Sequence, residues 1–90
     1  MQDQNLEEIT GYLELGLWQE ANDLIEDLPP DAKTSPAVLS LRVSIYQAAS
    51  SWELMTEVAC HLVTIEPDYP LHWLNYAQAA LYAEGLPLFP

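Results

Sequence analysis

Residues of like kind recur at a fixed interval of 34 along this chain. Tyr12 and Tyr46 are one such pair, Trp18 and Trp52 a second, and Leu28 and Leu62 a third, all 34 apart. Pro36 and Pro70, Leu39 and Trp73, and the trio Ile9, Val43 and Ala77 keep the same spacing. A period of this length marks a helix–turn–helix unit that buries its apolar side by stacking on its own copies. It divides the chain into units at about residues 2–35, 36–69 and an incomplete 70–90, within a single domain.

Five helices are predicted, joined by short turns. The first runs from about Asn5 to Gly16, with Leu6, Ile9, Tyr12 and Leu13 on one stripe. Gly16 suits its end, since glycine accepts the left-handed backbone that closes a helix. The second runs from about Trp18 to Leu28, with Trp18, Ala21, Leu24, Ile25 and Leu28 at helical spacing. Its last turn holds Glu26 and Asp27. Carboxylates there oppose the helix dipole, so this end is expected to fray before Pro29-Pro30 stops it. The stretch Pro29 to Ser35 is read as the longest connection.

Ser35-Pro36 opens the third helix, which carries Val38, Leu39, Leu41, Val43, Ile45 and Tyr46 and ends near Ala49. Ser50 and Glu53 stand three apart, as in a capping box, and are expected to open the fourth. Trp52, Met55, Val58, Ala59, Leu62 and Ile65 share a face of that helix, and Pro67 ends it. Pro70 starts the fifth helix, which runs to about Ala83 or Glu84, before Gly85. No segment alternates with period two, so no sheet is expected.

The net charge is −12, from fourteen carboxylates against Lys33 and Arg42 alone. Two cations cannot displace the counterions of a nucleic acid, and anionic membranes are disfavoured for the same reason. A basic protein partner is permitted. The charge also serves simply to keep an apolar stack dissolved. Cys60 is the sole cysteine, so no internal disulfide can form, and it is expected to be buried as a small apolar residue. The first residues lack the basic and apolar regions of a signal peptide. No apolar run approaches the roughly 20 residues of a membrane span, and a cytoplasmic location is expected.

These positions resemble the tetratricopeptide repeat family. In the middle unit Leu39, Val43 and Tyr46 match the family's first helix, Met55, Ala59 and Leu62 its second, and Pro67 its close. Ile9, Tyr12, Ala21, Ile25 and Leu28 match in the first unit, and Trp73 and Ala77 in the last. The first unit departs by closing early at Pro29-Pro30, with Lys33 where the family has proline. Arg42 stands at a usually apolar position, Met55 where a small residue is usual, and Ala80 where an aromatic is. The chain also looks like short acidic bacterial members of this class. The resemblance implies an all-α, right-handed solenoid of antiparallel helix pairs that holds a protein or peptide partner and performs no catalysis.

By that resemblance, Leu6, Thr10 and Leu13, then Ser40, Ser44 and Gln47, then Leu71, Leu74, Gln78, Leu81 and Tyr82 face a concave groove suited to a peptide or helix. Some of these could equally be core or idle surface. Family members that grip a terminal carboxylate use several Lys, Arg and Asn side chains. Here only Arg42 and Asn75 stand near, in a strongly negative chain, so that mode is set aside.

The fifth helix is apolar around almost its whole circumference, whereas the end of a stack normally turns a polar face outward. Its bare flank, with Leu86, Leu88 and Phe89, is expected to bind another copy or another protein. The tail folding back over it, or a further helix beyond residue 90, would also cover it. A chaperone-like holder of a secreted or assembling client is the first alternative function. A small hydrolase or metal-binding protein is the second. Cys60, His61 and His72 show no zinc spacing, the three glycines make no phosphate loop, and the carboxylate pairs lie on solvated faces. No cofactor, metal or catalytic residue is therefore expected.

Overall fold

The computed structural model describes residues 2–84, with side chains from residue 6 onward, and those residues are all-helical. The helices are α1 (Gln2–Glu14), α2 (Trp18–Glu26), α3 (Pro30–Lys33), α4 (Pro36–Ala48), α5 (Trp52–Ile65) and α6 (Pro70–Glu84). That makes six among the described residues, one more than predicted. The extra element, α3, lies in the stretch read as a connection. Extended Pro29 precedes it and Pro30 takes its first position, where a missing N–H costs nothing. Ala32 at its centre is buried in the core, which is why four residues hold a helical turn.

Ser35 joins α3 to α4. Its hydroxyl donates to the Ala32 carbonyl (2.9 Å) and accepts from the Val38 amide (3.4 Å). One side chain thus closes a helix and caps the next, with Pro36 in the first turn of α4.

The turns after α1 and α4 are the same structure 34 residues apart. The Leu17 amide bonds the Tyr12 carbonyl (2.8 Å) and the Gly16 amide that of Leu13 (3.0 Å). The Ser51 amide bonds the Tyr46 carbonyl (2.8 Å) and the Ser50 amide that of Gln47 (3.2 Å). This pair of bonds is a Schellman motif, which needs a left-handed residue after the helix. Gly16 supplies it with φ 79° and Ser50 with φ 57°. Ser50 therefore ends α4 instead of capping α5, and the expected capping box with Glu53 does not form. Ser51 holds the cap position of α5 without a side-chain bond.

Two apolar clusters make the core. In the first, Ile9 of α1 meets Ala21, Ile25 and Leu28 around α2, and Ala32, Val38 and Ile45 join them. In the second, Leu39 and Val43 of α4 meet Met55, Ala59 and Leu62 of α5, with Ala79 of α6. Tyr46 packs against both clusters. Fully burying one Ile, Leu or Met side chain contributes about 2 kcal/mol. Each helix packs mainly on a neighbour in the chain, α4 also reaching back to α2 and α1, so the molecule is elongated, 48 × 27 × 19 Å.

Candidate interaction surface

Successive residues of a helix point about 100° apart. On α6 this puts His72, Tyr76, Ala79 and Ala83 on the inner stripe, where His72 and Ala79 are buried. The other sides carry Leu71, Trp73, Leu74, Leu81 and Tyr82, all exposed, Leu74 to 66% and Trp73 to 49%. Glu84 is the one carboxylate on this helix. An apolar face this broad is uncommon on a surface that meets only water.

The sequence-predicted residues divide by place. Leu71, Leu74, Leu81 and Tyr82 lie on this outer face, with half-buried Gln78 beside them. Gln78 accepts a 3.0 Å bond from the Gln47 amide, tying α6 to α4. Leu6 and Leu13 pack on the first core cluster. Thr10 and Ser44 are exposed and Ser40 half-buried, and the Ser44 hydroxyl turns back to the Ser40 carbonyl (3.5 Å). Leu86, Leu88 and Phe89 lie outside the described residues.

At one end of the face the rings of Tyr82 and Trp52 meet, with centroids 4.7 Å apart and a 48° tilt. Ser50, Ser51, Glu53, Leu54 and Ala83 complete an open cleft of about 330 Å³ around them. At the other end the indole N–H of Trp73 donates to the Pro67 carbonyl at 2.7 Å, which fixes the ring against the α5–α6 turn.

His72 is placed in a way the sequence did not suggest. It is 3% exposed, its Nε2 lies 2.7 Å from Glu66 Oε1, and its ring meets that of Tyr69 with centroids 4.5 Å apart and a 43° tilt. Glu66 and His72 are six apart across Pro67 and Pro70, which is no helical spacing. The repeat held the signal: His72 falls 34 after Val38 and Glu66 falls 34 after Ala32, and Val38 and Ala32 are both buried. A buried polar residue at such a place needs a partner, and Glu66 is it.

Both basic residues converge on one carboxylate. Arg42 donates to Glu26 at 2.9 Å, and the Lys33 ammonium lies 3.6 Å from it. The Arg42 hydrogen bond and charge, with Lys33 behind, hold the Glu26 carboxyl below its ordinary value. Burial works against the Arg42 charge, but its bonds to Glu26 and to the Tyr46 hydroxyl (3.2 Å) prevail and raise its pKa. The rest of the acidic surface is left without a Lys or Arg partner among the described residues.

Cys60 is exposed, against expectation. Its apolar neighbours Ala59 and Leu62 take the inner face of α5, and a step of 100° from Ala59 turns Cys60 to solvent. Among the described residues no group of three His, Cys, Asp or Glu side chains could hold a metal ion. No helix among them is long and apolar enough to cross a membrane. No protein-family model, curated protein or solved structure matches the chain.

Proposed function

We propose that this chain is a non-catalytic protein-interaction module of the tetratricopeptide-like, right-handed stacked-helix type. Its docking surface is the outer face of α6. The observation that carries this is the exposure of Leu71, Trp73, Leu74, Leu81 and Tyr82 on one fifteen-residue helix. An apolar patch of that breadth marks an interface more often than idle surface. The stacked-helix reading is supported by the two identical turns and by equivalent core positions 34 residues apart. A free thiol held in the open at Cys60 fits a reducing compartment such as the cytoplasm.

The test is a chain carrying Trp73→Glu and Leu81→Glu together. Both sites are exposed, so the helical circular-dichroism signal is expected to stay. Capture of the bound protein, or concentration-dependent light scattering, is expected to fall to background. A doubly charged variant that keeps the same companion and association state removes α6 from the function.

A further inference from the structure

We infer that the outer face of α6 receives a single amphipathic α-helix from a basic partner protein, lying on Trp73 and Ala77 as α5 lies on Leu39 and Val43. This rests on the proposed docking role of α6 and names the occupant. The template is inside the chain. Ile9 is covered by Ala21, Ile25 and Leu28 of the first helix pair. Val43, 34 residues later, is covered by Met55, Ala59 and Leu62, each 34 beyond its counterpart. Ala77 is the next member of the series, and it is exposed on α6. An apolar residue at this place in the 34-residue interval is the surface on which this chain twice seats a helix. The fitting occupant carries an apolar stripe at positions i, i+4 and i+7, as α2 and α5 do.

Charge selects the partner. The chain carries −12, and both its Lys and Arg are taken up by Glu26. Glu84 lies seven residues after Ala77, at the edge of the same stripe. A helix flanked by Lys and Arg is attracted and oriented there, and an acidic one is repelled. A second copy fits less well. Its α2 and α5 stripes are buried in its own core, its α1 shows exposed Glu7, Glu8 and Glu14, and its α6, though apolar and exposed, carries no Lys or Arg to meet the negative charge.

The experiment titrates the full chain with two synthetic helices that share the α5 stripe, Met-x-x-x-Ala-x-x-Leu. One has lysine at its outward positions and the other glutamate. The lysine helix is expected to bind one per chain, at least about tenfold tighter than its twin at low salt, with the gap closing as salt rises. Ala77→Glu is expected to weaken binding by about tenfold or more, while Leu15→Glu on a distant exposed site leaves it unchanged. Failure of both helices to bind, or indifference to Ala77→Glu, overturns the inference. So does an α6-dependent dimer that excludes the helix, which assigns the face to a second copy. Binding seen only after removal of residues 85–90 assigns it to the chain's own tail. If the helices fail but Trp73→Glu with Leu81→Glu still abolishes protein capture, only the occupant is wrong. If neither has effect, the docking role falls too.

Discussion

Gly16 and Ser50 fill the same left-handed position in equivalent turns, yet only one is a glycine. A left-handed backbone costs a residue with a Cβ about 1 kcal/mol. Ser50→Gly is therefore expected to stabilise the protein by about 0.5–1 kcal/mol, less a few tenths for the looser unfolded chain. Gly16→Ala should cost about 1 kcal/mol by conformation alone, because a Cβ there meets nothing within 4 Å. Thermal melts resolve both, at about 4–8 °C per kcal/mol for a chain of this size. Equal melting points for Ser50→Gly and wild type would show that the serine is not strained. Glu26 gives a second residue-scale test. Its folded pKa lies below the ordinary 4.5, so its ion pairs add stability above that value. They lose it as pH falls through the lower folded value. The carboxylate is exposed, so Glu26→Gln should cost only about 1 kcal/mol or less at pH 7. The cost should vanish in strong acid. Denaturant midpoints at the two pH values check this, and a penalty that persists in acid would mean that packing, not charge, is lost.

Five of the six described helices were legible in the sequence because apolar periodicity marks them and glycine or proline punctuates an end of each. Their ends were less so: α1 begins at Gln2 and α2 ends at Glu26, where Asn5 and Leu28 were expected. α3 was missed because Pro29-Pro30 reads as a stop, and four residues carry no period. What holds it is Ala32 meeting the core, a tertiary fact. The Ser50 turn was misread from local spacing, although alignment with Gly16 was available at the same interval. The outer face of α6 was legible as an excess of apolar residues, and the His72–Glu66 contact was not, because a turn separates them. The fraying expected at the end of α2 meets an opposing feature, since Glu26 there holds Arg42 and Lys33. Among the elements α4 is the joint, for Tyr46 touches both core clusters. Tyr46→Ala should cost about 3 kcal/mol, a large part of the stability of a chain this short. Tyr46→Phe removes only the bond from Arg42 and should cost about 1 kcal/mol. Amide exchange on the alanine variant should rise in both helix pairs together. Protection lost in α1 and α2 alone would deny that Tyr46 couples them.

At the scale of the whole molecule, attraction and repulsion among charges oppose each other, and their sizes decide the response to salt. A net charge of −12 makes about sixty like-charge pairs. At a mean separation of roughly 20 Å in water, each pair costs about 0.2 kcal/mol, or on the order of 10 kcal/mol unscreened. Unfolding more than doubles the chain's dimensions and relieves roughly half of that. The two ion pairs on Glu26 offset at most about 2 kcal/mol together. Repulsion therefore wins at low salt. At physiological ionic strength the screening length is about 8 Å, well below the mean separation, and most of the repulsion disappears. The melting temperature is expected to climb by ten degrees or more, on the order of 10–20 °C, between about 10 mM and 150 mM sodium chloride, and then to level off. Neutralising exposed carboxylates of the first half, such as Glu7→Gln with Glu8→Gln, should flatten the climb. A melting temperature that falls with salt would reverse the ranking, putting the Glu26 pairs above the field of the whole chain.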